Sequence, residues 1–209
     1  MYQRYIKRLI DIVLSACGIV VLAIPMLVIA IAVKLDSKGP VLFWQKRIGI
    51  HKSTYQMPKF RSMYTTAPAN MPTHMLTSPD QWITPVGKVL RKTSLDELPQ
   101  LFSIFRGHMS IVGPRPALWN QDDLIAERGK YGANDVRPGL TGWAQVNGRD
   151  ELPIDVKAQF DGEYVNNLTF RMDCKCFFGT IVKVLKHDGV VEGGTGKLEA
   201  DKQKESMKK

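Results

Sequence analysis

The sequence predicts an α+β fold, mainly helical: an N-terminal membrane helix, a small β-hairpin and a globular domain of amphipathic helices. Three observations carry this. From Ile12 to Val33 there is no charged residue. The stretch Val41-Leu42-Phe43-Trp44-Gln45 is aromatic and β-branched, and Thr54-Tyr55-Gln56 follows it across a turn region at Gly49, as in a hairpin. Later segments repeat apolar residues at helical intervals along one face.

The apolar run would be about 33 Å long as a straight helix, enough to cross a bilayer core. It ends in Lys34-Leu35-Asp36 rather than at a small-residue cleavage site, so a retained segment is expected and not a signal peptide. Pro25 falls near its middle, where it removes a backbone hydrogen bond and kinks the helix. Arg4, Lys7 and Arg8 precede the run and Lys34 and Lys38 follow it. Charge bias therefore gives no direction, and is equally satisfied if both ends lie on one side. A kinked transmembrane helix and a re-entrant helix that breaks and returns both fit.

The hairpin comes next, with Pro58 marking a strand edge or end. Pro68 to Pro79 is rich in Pro, Thr, Ser and Met and reads as a loop. Thr84-Pro85-Val86 opens a helix with proline in its first turn. Leu95 to Phe105 carries Leu98, Leu101, Phe102 and Phe105 on one face, with Gly107 to end it. Further helices are expected over Trp119 to Arg128, Ile154 to Leu168 and Met172 to Lys186. The last of these is a basic amphipathic helix that suits either a core or a membrane interface. The domain division is 1–38 for the membrane helix, 39–188 for the globular domain and 189–209 for a disordered tail rich in glycine and charge.

The chain has 209 residues and a formal net charge of +9, which points to an acidic partner: nucleic acid, an anionic membrane face or a phosphorylated small molecule. A membrane-anchored nucleic-acid-binding or scaffold protein is the alternative reading, but no basic face with interleaved aromatics is visible. The three cysteines form no even-spaced disulfide framework. Cys174-x-Cys176 lacks the second ligand pair of a zinc site.

Against this basic background Asp96 and Glu97 stand side by side in Arg91-Lys92-Thr93-Ser94-Leu95-Asp96-Glu97-Leu98-Pro99-Gln100. Carboxylates serve as nucleophiles and as metal ligands. Ser94-x-x-Glu97 is also capping-box spacing, which would put Asp96 in the first helical turn, where the dipole favours an anion. Gly113-Pro114-Arg115-Pro116 holds one guanidinium between rigid flanks, suited to gripping a phosphate through two parallel hydrogen bonds. The stretch from Arg137-Pro138-Gly139 through Gly148-Arg149 is rich in glycine and amides, but lacks the spacing of a P-loop. Lys59 and Arg61, in Lys59-Phe60-Arg61-Ser62-Met63, add two cations.

In their order along the chain, from Lys59–Met63 to Arg137–Arg149, the four motifs resemble those of the small monotopic bacterial phosphoglycosyl transferases, also called bacterial sugar transferases, from about Tyr5 to about Gly189. The resemblance implies a re-entrant membrane helix broken at Pro25, with the active site at the cytoplasmic face of the bacterial inner membrane. Ile24 stands where many members have serine. It implies Asp96 as nucleophile and Glu97 as the Mg²⁺ ligand. Lys59, Arg91 and Arg115 become phosphate contacts, and Arg137, Gln145 and Arg149 candidates for the nucleotide-sugar site. The implied reaction moves a sugar 1-phosphate from a UDP-sugar to a polyprenyl (undecaprenyl) phosphate, through a covalent aspartyl intermediate with release of UMP. Anionic lipids are then the natural surface partner and nucleic acid is not.

Overall fold

A computed structural model of the chain describes residues 2–67, 79–148 and 152–186. The proposed loop at Pro68–Pro79 lies almost wholly outside the described residues, and so do the proposed tail and Arg149.

Two helices replace the single apolar one: α1 (Lys7–Val21) and α2 (Ala23–Asp36), bent by 61° at Leu22. The backbone leaves helical geometry at Leu22 (φ −93°, ψ 7°) rather than at Pro25 itself. Pro25 has no N–H for the carbonyl of Val21, and its ring crowds that carbonyl, so the turn before the proline opens. Met26 restores the ladder by donating to Leu22. Among the described residues no single helix is long and apolar enough to cross a membrane, although this bent pair could be by length and composition.

Both ends of the pair are moored on the globular domain. At the start of α1, Arg8 donates to the carbonyls of Ile104 and Phe105. Lys7 pairs with Asp173 at 2.6 Å, and Asp11 accepts from Ser110 Oγ and the Ile111 amide. At the end of α2, Arg61 donates to Val33 O, Ser37 O, Ser37 Oγ, Lys38 O and Pro40 O. Asp36 accepts from the Val86 amide. Between these ends Val20, Val21, Ile24, Leu27 and Val28 are exposed.

The hairpin forms as expected: β1 (Leu42–Ile48) pairs antiparallel with β2 (Thr54–Phe60), with Trp44 opposite Pro58. A two-stranded sheet has only edge strands, so Pro58 sits within β2 without breaking a ladder. Tyr55, Met57 and Lys59 alternate onto one face, where Tyr55 and Met57 pack with Ile104 and Met109 in one core cluster. Helix α3 (Pro85–Thr93) starts on Thr84, whose side chain accepts from the Gly87 amide. A 3₁₀ turn at Leu95–Glu97 leads to α4 (Gln100–Arg106), closed by left-handed Gly107 (φ 92°).

Two strands of three residues, β3 (Ser110–Val112) and β4 (Gly139–Thr141), pair in parallel; runs this short leave no alternation to read. Between them α5 is Asp122–Gly129, starting later than the sequence suggests. Then come α6 (Trp143–Val146), α7 (Ile154–Asn166) and α8 (Phe170–Lys186), the last two close to the expected bounds. A second cluster joins Val112, Tyr164 and Cys176, tying β3 to α7 and α8. Phe170, Phe177, Phe178 and Val182 of α8 remain exposed.

Candidate active site

The carboxylate pair stands at the corner between α3 and α4, and the capping box does not form. Ser94 is left-handed (φ 58°, ψ 17°), closing α3 instead of opening the next helix, and makes no side-chain cap bond. Asp96 therefore occupies a tight 3₁₀ turn and not the first turn of an α-helix. Glu97 is drawn away from its own backbone because two cations compete for it. Lys59 Nζ donates to Glu97 Oε1 at 2.7 Å and Arg115 Nη2 to the same oxygen at 2.8 Å. Charge-assisted bonds of this kind outweigh a neutral capping bond.

Three segments distant in sequence thus meet: Lys59 from the end of β2, Glu97 from the corner and Arg115 from the Gly113–Pro116 loop. Burial pushes the Glu97 carboxyl upward, but Arg115 and Lys59 outweigh it and hold Glu97 well below the usual carboxylate range. Asp96 is 8% exposed. Its carboxyl is raised, chiefly by burial; Glu97 adds to this, while Lys59, Arg91 and Arg115 oppose it. The corner thus holds one carboxylate locked in its ionised form, and beside it a desolvated one whose negative charge is less well stabilised. A poorly solvated anion is the better nucleophile of the two.

Of the expected site residues, Lys59, Arg91, Asp96, Glu97 and Arg115 come together. Arg91, in the last turn of α3, acts on Asp96 through its charge. Two others are turned elsewhere. Arg137 donates through Nε to Gly107 O, capping the end of α4 alongside Arg8. Gln145 donates through Nε2 to Leu140 O, and its buried Oε1 has no hydrogen-bond partner. A carbonyl at a helix end is a strong acceptor for arginine, which explains the turning of Arg137.

The loop bearing Arg115 approaches its neighbours backbone to backbone. A Cβ at Gly113 would lie 2.4 Å from Arg137 O, and one at Gly142 would lie 2.1 Å from Gly113 O. Only glycine permits this crossing. Sequence reasoning singled out Arg61 only as a cation, and did not single out Arg128 at all. Arg61 anchors α2, and Arg128 pairs with Asp161 behind the loop; their partners lie far off in sequence and leave no local signal.

Buried Asp96 and half-buried Glu97, with the charges of Lys59, Arg91 and Arg115 acting on them, form an arrangement suited to anionic groups. The chain belongs to the bacterial sugar transferase family, whose description matches residues 2–187. It is 36% identical to the uncharacterized sugar transferase EpsL of Bacillus subtilis, over 88% of this chain and 90% of that protein. It is 39% identical to the UDP-glucose:undecaprenyl-phosphate glucose-1-phosphate transferase of Escherichia coli, over 87% of this chain but 40% of that protein. It is also 34% identical to the undecaprenyl-phosphate galactose phosphotransferase of Salmonella typhimurium, over 90% of this chain and 42% of that one. The chain thus spans nearly all of the first relative and less than half the length of the other two.

Proposed function

We propose that this chain transfers a sugar 1-phosphate from a UDP-sugar to undecaprenyl phosphate, releasing UMP, through a phosphosugar carried on Asp96. The observation that supports it most is the contrast within the pair: Glu97 clamped by Lys59 and Arg115, and Asp96 desolvated beside it. An Asp96 carboxylate oxygen attacks the phosphorus that bears the sugar. The bond from that phosphorus to the bridging oxygen breaks, and UMP leaves with the electron pair. An oxygen of the lipid phosphate then attacks the same phosphorus, the Asp96 bond breaks, and the carboxylate is restored. Two displacements replace one difficult step. Lys59, Arg91 and Arg115 stabilise negative charge on the phosphates as it redistributes. The names of the Escherichia coli and Salmonella relatives support the substrates.

Mg²⁺ is the proposed cofactor, held by Glu97. Both cationic bonds fall on Oε1. Among the described residues no group of three or more His, Cys, Asp or Glu could hold a metal. An ion bound here would rely on one or two carboxylates, water and substrate phosphates, which is the habit of Mg²⁺. When bound, it supplies charge neutralisation on the pyrophosphate.

The bent pair is proposed as a re-entrant segment that dips into the bacterial inner membrane from its cytoplasmic face, where anionic lipids attract the basic domain. Support comes from the mooring of both ends on one domain, by Arg8 at one end and Arg61 at the other. Cysteines placed at residues 3 and 38 should be labelled from the same side; opposite accessibility would rule out the dip.

The deciding experiment screens UDP-sugars for UMP release with a soluble polyprenyl phosphate. Release with one sugar, with ping-pong kinetics and dependence on Mg²⁺, is expected. Folded protein that releases no UMP from any UDP-sugar would overturn the reading. Kinetics that require both substrates to be bound before UMP leaves would remove the covalent intermediate.

A further inference from the structure

The Arg115 loop is held in an unusual way. Pro114 and Pro116 have no N–H to give, and the carbonyls from Pro114 to Ala117 are moored by three parts of the fold: β4, β1 and α5. Pro114 O accepts from the Gly139 amide at 2.9 Å, and Pro116 O from Arg47 Nη1 at 2.9 Å. Ala117 O accepts from the Ile48 amide at 2.9 Å. The carbonyl of Arg115 itself accepts from Arg128 Nη1 at 2.9 Å.

Arg128 lies near the end of α5 and is 4% exposed. Its Nε and Nη2 both reach Asp161 Oδ2 of α7, at 2.7 and 2.6 Å, and Asp161 is 1% exposed. A buried ion pair is a weak source of stability, because desolvating both charges offsets most of their attraction. It does fix orientation. Two donors on one carboxylate oxygen set the guanidinium in place, and the third donor is then aimed at Arg115 O. Arg115 in turn extends its side chain to Glu97 Oε1.

We propose that Arg128, held by Asp161, is a positioning residue that fixes the Arg115 backbone and thereby keeps the Arg115 guanidinium on Glu97 and the substrate phosphates. The inference rests on the transferase reading for its kinetic test. Its mechanical content, a loop tied by a buried arginine, stands on the hydrogen bonds alone.

The test uses the full chain in detergent and two variants. Arg128→Met combined with Asp161→Leu replaces the pair by apolar side chains of similar bulk, which keeps a fold that loss of one partner alone would endanger. Arg128→Lys keeps the charge facing Asp161 but lacks the rigid fork that serves two partners at once. In both, kcat/KM for UMP release should fall at least tenfold, mainly in kcat, with the melting temperature near that of the wild type. Adding Arg115→Ala should lower it little further, since its guanidinium is already displaced. Wild-type kcat/KM in either folded variant, or losses that simply multiply with Arg115→Ala, would overturn the inference. Amide hydrogen exchange across residues 113–118 supplies a readout without turnover: it should quicken at least tenfold in Arg128→Lys, and unchanged exchange there refutes the tie. Wild-type protein that releases no UMP would instead strike the transferase reading, leaving the exchange result to decide this one.

Discussion

Arg61→Met separates anchoring from catalysis within the motif that runs from Lys59 to Met63. Arg61 is 4% exposed and donates to Val33 O, Ser37 O, Lys38 O and Pro40 O, carbonyls that close α2 and the chain leaving it, and to the Ser37 hydroxyl. Methionine fills much of the volume and donates nothing. A hydrogen bond from a charged donor contributes about 1.5–3 kcal/mol net. Several of these carbonyls are only half-buried and regain water, so full additivity would overshoot. Breaking a buried charged network of this kind costs about 3–5 kcal/mol. In a domain of this size each kcal/mol moves the melting temperature by about 2–4 °C, so the expected fall is about 6–20 °C. Thermal unfolding of detergent-solubilised protein, followed by tryptophan fluorescence, reads it directly. Arg61→Lys, with a single ammonium, should fall between the two. A melting temperature within 3 °C of wild type in Arg61→Met would show that these contacts do not hold α2 to the domain.

Asp96→Asn should abolish turnover and raise the melting temperature at neutral pH. Burial raises the folded-state carboxyl of Asp96, so its ionisation opposes folding above the unfolded value, and the penalty is relieved as pH falls through the folded one. A lower melting temperature at pH 7 would contradict this sign. For the same reason kcat/KM should drop on the acid side as Asp96 gains its proton. Lys59→Met removes the largest opposing charge and should move that acid limb to higher pH; an unmoved limb would exclude Lys59 as the group that keeps Asp96 ionised. Gly142→Ala places a Cβ 2.1 Å from Gly113 O, so it should push the Arg115 loop aside and cost at least tenfold in kcat/KM. Normal kinetics in that variant would mean that the crossing does not hold the loop.

The sequence was most legible where a local rule decides the structure. The helix start at Thr84 and Pro85, the helix end at Gly107 and the hairpin around Gly49 each follow from a few neighbouring residues, and the structure has all three. The capping box failed for an instructive reason. Ser94 and Glu97 have the spacing, but Lys59 and Arg115 offer Glu97 charged partners from 38 and 18 residues away, and no window around the box contains them. The bend illustrates a smaller limit: a proline breaks the turn ahead of itself, so the helix parts at Leu22. Arg137 was misplaced for a related reason, since an arginine in a Gly- and Pro-rich stretch looks alike whether it caps a helix or holds a phosphate. Strands β3 and β4 were invisible because three residues carry no period.

The tie between Asp161 and the Arg115 loop also sets an order in time. A chain made from its N-terminus presents the apolar helices first, then Lys59, then the carboxylate pair, then Arg115. Asp161 follows several seconds after Asp96, at about 5–20 residues per second. Until α7 has emerged and docked, Arg128 has no carboxylate to orient it and the loop lacks one of its four carbonyl tethers. On the proposed function, a nascent chain would therefore carry Asp96 in an unassembled corner, and that corner would be complete only after α7 has been made.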